Sequence, residues 1–182
     1  MDKGPIAQSG PWMAIGREIA EVLERVDAQA FQRVLDTFRD PSRRWFFSGQ
    51  GRSGLVAQMA AMRFMHMGRA AHFVGEATAP AVRAGDGLAL ISGSGETAVA
   101  VHFARIAKAE GAELVLITRE PRSVLGSLAD FVLQAPIKST RQFGGSLFEQ
   151  TSLILLDAIV LELSQAIPDA YGRMLGRHTN LQ

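Results

Sequence analysis

Along residues 12–38 apolar side chains recur at Trp12, Ile15, Ile19, Val22, Val26, Ala30, Val34 and Phe38, with Glu, Arg, Asp and Gln between them. Steps of three and four residues are the period of a helix, so this stretch predicts an amphipathic helical segment, broken near Asp27. From Arg43 the pattern changes. RRWFFSG is a short aromatic run closed by glycine. After GQGRSG comes the apolar stretch LVAQMAAMRFMHMG, a helix that Gly68 stops. The unit of strand, glycine loop and helix then recurs: AHFVG and GLALI are strands, SGSGET a loop, and AVAVHFARIAKAEG a helix stopped at Gly111. LVLIT is a fourth strand, SVLGSLA a short helix and FVLQA a fifth strand. The irregular stretch PIKSTRQFGG leads into SLFEQTSLILLDAIVLELSQAI, helical in length and spacing, and PDAYGRMLGRHTNLQ remains as a tail.

Strands that are continuous apolar runs separated by helices belong in a parallel sheet covered on both faces. The pattern therefore predicts a doubly wound α/β fold and a single domain over residues 1–182, with an N-terminal helical segment (1–40) and a C-terminal tail (168–182). No fixed-period repeat or low-complexity tract interrupts it. Composition narrows the function. The chain has 182 residues, 47% hydrophobic and 20% charged, enough for one sizeable core and not for a second domain. Its 19 basic and 18 acidic residues alternate to a net charge of +1, so no broad nucleic-acid footprint is present and any anion must be bound locally. Zero cysteines exclude disulfides and thiolate metal sites. The opening MDKGPIAQSGPW has no apolar signal core and no run reaches the roughly 18 residues of a membrane span, which predicts a cytoplasmic protein without membrane contact.

In an open sheet of this kind ligands bind beyond the carboxyl ends of the strands, where strand order reverses. For an order 2-1-3-4-5 the reversal falls between the strands that end in GQGRSG and SGSGET. Both loops precede helices, so unpaired backbone N–H groups and two positive helix ends converge on one crevice, as a phosphate site requires. Gly51 and Gly93 let the backbone approach, Ser53, Ser92, Ser94 and Thr97 add hydroxyl donors, and Arg52 offers a charged fork. A plainer reading stands beside this one: Ser53 and Ser94 as ordinary N-caps. Glu96 would repel a phosphate unless, in the first turn of its helix, it faces outward. GQGRSG is also a GxGxxG, with Glu76 some 22 residues past Gly54, so a dinucleotide site is an alternative. Against it, polar side chains crowd the turn and the second hydroxyl loop has no role.

The run GQGRSGLVAQMAAMRFMHMG, then VGE, GDGLALISGSGET, AKAEGAELVLIT, LADFVLQAP, GGSLFEQ and RHTNLQ, resembles in this order the 6-phospho-3-hexuloisomerases of the sugar isomerase (SIS) group. The likeness runs from Trp45 to Gln182. It implies a flavodoxin-like three-layer α/β/α sandwich, a homotetramer, and interconversion of 3-hexulose 6-phosphate with fructose 6-phosphate in the ribulose monophosphate pathway of formaldehyde fixation. It also implies that Glu149 lies at the active site and that the tail packs into a neighbouring subunit's site, with His178 moving protons on the sugar oxygens. Two departures stand out: QFGGSLFEQ replaces a family pattern like QPMGSLFEQ, which loosens the loop before Glu149, and Thr179 and Gln182 stand where Ala and Glu are usual.

Moving a carbonyl to the next carbon needs a group that takes a C–H proton and returns it next door, with proton traffic between the two oxygens. No cofactor or metal is required, in keeping with a chain that has no metal-ligand spacing. Glu149 is the candidate base, although Ser146 and Glu149 also form an S-x-x-E capping box. His66 and His102 fall in apolar helices and His72 opens a strand, the usual places of structural imidazoles. A lone histidine four residues from the terminus is ordinarily just solvated and mobile; the resemblance instead gives His178 the proton-moving role, for which an imidazole is suited. The competing functions are another SIS isomerase acting on a heptose or pentose phosphate, and a sugar-phosphate sensor without catalysis. Regulators of that sort carry a helix-turn-helix, which is missing from this sequence.

Overall fold

The structure is a computed structural model that describes residues 10–181; the first nine residues, read above for a leader, and the terminal Gln182 of the RHTNLQ ending lie outside it. The elements run α1 Pro11–Leu23, α2 Ala28–Thr37, β1 Trp45–Gly49, α3 Arg52–His66, β2 Ala71–Phe73, β3 Gly87–Ile91, α4 Ala98–Ala109, β4 Glu113–Thr118, α5 Val124–Leu128, β5 Phe131–Gln134, α6 Ser146–Gln165 and α7 Ala170–Leu175. All strand pairs are parallel, and the order is β2-β1-β3-β4-β5, as the alternating pattern and the resemblance predict.

Local chemistry sets these boundaries. The break near Asp27 is a helix restart: its carboxylate accepts from the N–H groups of Gln29 (2.8 Å) and Ala30 (3.2 Å), capping α2. Gly68 and Gly111 follow α3 and α4 with φ of +83° and +80°, the left-handed geometry of a glycine stop. Two readings change. AHFVG supplies only a three-residue edge strand, Ala71–Phe73. The tail is not wholly irregular, because Asp169 accepts from Gly172 N and starts the short α7.

Alternate residues of each strand serve opposite layers, the period-two rule of a pleated strand. Trp45, Phe47, Ile91, Val115, Ile117 and Leu133 pack with α2, α3 and α6. Phe46, Leu88, Leu90, Leu114 and Leu116 pack with α4 and α5. On the first side Phe38 lies 4.0 Å from the Trp45 ring and 5.0 Å from Phe64, centroid to centroid, closing the aromatic centre of that layer. Ala57, Ala60 and Ala61 let α3 sit close to the sheet. The nearly all-round apolar character of α3 predicts burial on more than one side. Among the described residues α3 is covered by the sheet, α6 and α7, while Leu55, Met59, Met62 and Met65 stay 59%, 44%, 45% and 38% exposed.

Candidate active site

β1 and β3 are neighbours in register, Gly49 opposite Ile91, so the loops that follow them leave the sheet side by side at its carboxyl edge. The tight turn after β1 is forced by two glycines. A Cβ on Gly49 would lie 2.6 Å from the Ser53 carbonyl oxygen, and one on Gly54 would lie 2.8 Å from the Gly49 oxygen. Gly51 holds φ +58°, ψ −131°, a conformation that side chains avoid, and it caps α3 without any side-chain bond. Ser53 is therefore not the N-cap; it lies inside the first turn, its hydroxyl in no hydrogen bond among the described residues. Gly54 N donates back to Gly51 O at 3.0 Å, and the amides of Arg52 and Ser53 are left for a ligand or water.

The second loop is built likewise. Thr97, not Ser94, is the N-cap of α4, and it makes no side-chain cap bond; its hydroxyl lies 3.5 Å from that of Ser92. Ser94 instead accepts from Glu96 N at 3.2 Å, within its own turn. Gly95 must be glycine: φ is +66°, and an added Cβ would meet the Ser123 hydroxyl at 1.9 Å. Glu96 precedes α4 rather than entering its first turn. Its carboxylate accepts from Val124 N at 2.8 Å and caps α5, so its charge is used away from the cradle.

The third part comes from α6, whose first turn closes over both loops. Phe148 packs on Gly93, 3.2 Å from where a Cβ would be, and Glu149 forms an ion pair with Arg52. The S-x-x-E box is not made. Ser146 is the first helical residue, its hydroxyl donates to Phe143 O at 2.9 Å, and the Glu149 carboxylate, 14% exposed, turns instead to the loop after β1. Thus Arg52, Ser53, Gly51, Ser92, Gly93, Ser94, Thr97 and Glu149 gather at the carboxyl edge, at three helix N-termini. The Arg52 side chain, though paired with Glu149, is 63% exposed.

The loop before Glu149 is tied to α1. Glu18 accepts from Thr140 Oγ1 and Arg141 N, each at 2.8 Å. Burial pushes its carboxyl up, but these bonds and one from Gln142 outweigh it and hold the group below the usual range.

His178 is not part of this cluster within one chain. Its ring stacks on His66 at the far end of α3, with centroids 5.5 Å apart and planes within 14°. At about 1.5 Å of rise per residue, Arg52 to His66 spans roughly 21 Å. Glu76 follows β2 where a dinucleotide site needs it, yet it lines an apolar hollow of about 290 Å³ with Phe46, Val82 and Phe103, and no SGSGET hydroxyl borders that space. Two residues escaped the motif reading. Arg119, directly after β4, donates from Nε to the Gly93 carbonyl at 3.4 Å, and buried Ser48, beneath the first loop, has an unpartnered hydroxyl. Their position at the carboxyl ends of strands was the available signal. Among the described residues no group of acidic and histidine side chains could hold a metal ion, and no helix is long and apolar enough to cross a membrane.

Known proteins are similar to this chain. A 3-hexulose-6-phosphate isomerase of Mycobacterium gastri is 38% identical over 173 residues, covering 91% of this chain and 86% of its own. One of Bacillus subtilis is 40% identical over 146 residues, covering 75% and 79%. A Methanococcus jannaschii crystal structure, for which the function of 3-hexulose-6-phosphate isomerase was inferred, superposes with a TM-score of 0.84 at 30% identity over 94% of this chain and 98% of its own. The SIS domain profile matches residues 39–162, from just before β1 into α6 and so across both loops and Glu149, and the chain belongs to the SIS domain family.

Proposed function

We propose that the protein is a 3-hexulose-6-phosphate isomerase: a single SIS domain over residues 1–182, working in the cytoplasm as a homotetramer and interconverting D-arabino-hex-3-ulose 6-phosphate with D-fructose 6-phosphate in formaldehyde fixation. The carrying observation is the pairing of Glu149 with Arg52, which sets a shielded carboxylate against the rim of two adjoining anion loops. The similarity to relatives of that name supports the substrate.

In this reading the phosphate enters between the loops. It takes hydrogen bonds from first-turn amides of α3 and α4 and from Ser53, Ser92, Ser94 and Thr97, and Arg52 swings toward the dianion. That fixes the sugar and releases the Glu149 carboxylate to face it. Glu149 removes the proton from C2 of the 3-ulose, electrons move into an enediolate across C2 and C3, and the Glu149 carboxyl, whose proton exchanges with solvent, delivers a proton to C3. In reverse it leaves C3 of fructose 6-phosphate. His178 moves the accompanying proton between the two oxygens. Because it stands about a helix length from Glu149 in its own chain, the imidazole must come from a second copy. The open α3 stripe of Leu55, Met59 and Met62 supports such a copy: two α3 helices packed antiparallel would bring the His66 end of each to the Arg52 end of the other.

The test is isotope exchange. Fructose 6-phosphate in D2O with the protein should lose its C3 proton signal, and Glu149→Gln should slow the loss by about 10² or more. Loss of C1 protons instead would mean an aldose–ketose isomerase, and binding without exchange would mean a sensor.

A further inference from the structure

A histidine is an unusual choice for the last residue of α3. His66 is 4% exposed, and its Nδ1 has no hydrogen-bond partner. A leucine would fill the space without leaving a polar atom unpaired. The helix end would favour an imidazolium, but the surroundings oppose it. Burial, then Arg63 one turn back, then His178 hold the ring's pKa below the ordinary value. Arg177 lies against Gly68, just beyond the helix, and Arg69 turns away to the carbonyls of Phe38 and Asp40. Among the described residues no carboxylate is hydrogen-bonded to His66. The ring is thus a neutral flat plate. What it carries is His178, whose ring among the described residues has one hydrogen-bond contact besides, with the Thr179 carbonyl at 3.3 Å.

We propose that His66 is a positioning residue for His178: its buried ring is the platform that sets the plane and height of the tail imidazole, and so the geometry of proton transfer. This rests on the reading that His178 serves the reaction. Without the platform the exposed tail keeps its chain path through α7 but loses the orientation of one ring. A misplacement of about an ångström is enough to cost a large rate factor with little change in substrate binding. The flatness of the ring, rather than its nitrogens, is the feature that matters.

The experiment compares His66→Leu with His66→Phe in the full-length protein, reading steady-state kinetics and the imidazole resonances of His178 by NMR. His66→Leu should lower kcat by about tenfold or more with KM within about twofold, and should move the His178 resonance toward that of an unrestrained terminal histidine. His66→Phe, which keeps a flat ring, should restore most of kcat and hold the resonance near its original shift. An unchanged His178 resonance in His66→Leu overturns the proposal, as does equal loss of kcat in both variants. If His66→Leu does not fold, His66→Asn takes its place against the phenylalanine. His178→Gln tests the underlying reading separately: full activity there removes His178 from the mechanism, while the resonance comparison still decides whether His66 orients it.

Discussion

Glu149 could be read from its sequence neighbours in two ways, because a glutamate three residues after a serine is both a capping box and a base at a helix start. Local spacing does not separate them; Arg52, 97 residues away, does. The consequence is measurable. An ion pair whose arginine is 63% exposed contributes no more than about 1 kcal/mol, so Glu149→Gln should abolish most exchange yet leave thermal stability nearly unchanged. Arg52→Ala should raise KM about tenfold with a smaller effect on kcat, since in the proposed binding mode its charge meets the phosphate rather than the reacting carbons. Gly49→Ala should behave oppositely, losing about 1–3 kcal/mol of stability in denaturant melts, because its methyl would strike backbone of the α3 turn rather than a movable side chain.

At the level of elements, α3 joins three tasks: its first turn faces the cradle, its alanine side fits the sheet, and its last residue supports the tail. The loop pairing followed once a strand order of 2-1-3-4-5 was supposed, since it joins strands far apart along the chain; the helix, its glycine stop and the five strands were legible directly, since each depends on near neighbours. The length of β2, the short α7 and the contact made by His66 were not, because distant packing decides them. His66 gives this element a pH signature. Its folded pKa is depressed, so the unfolded chain binds the proton first as pH falls below about 6.5, and folded stability falls with it until the folded ring also protonates. Melting temperature should therefore drop between about pH 7.5 and 5.5, and His66→Phe should flatten that drop.

The whole molecule adds what no single chain contains. With Glu149 and His178 at opposite ends of α3, a catalytic site that uses both requires two copies, and the prediction is complementation. Glu149→Gln and His178→Gln subunits, each impaired alone, should recover about a quarter of wild-type activity when unfolded and refolded together as paired chains, because half of the pairs are hybrids with one intact site each. Met59→Glu should dissociate the assembly in sedimentation and lose activity together with it, since a carboxylate buried in an apolar stripe is left without a partner. By itself the sequence determined the period of each element, the glycine turns and the sheet class, since these follow from side-chain alternation and from backbone conformations that only glycine adopts. Tertiary structure alone decided that Glu149 turns to Arg52 instead of its own helix end, that Glu96 caps a different helix, and that His178 rests on His66. Those contacts join residues from 28 to 112 positions apart, and which atoms meet at such separations is set by how helices pack on the sheet.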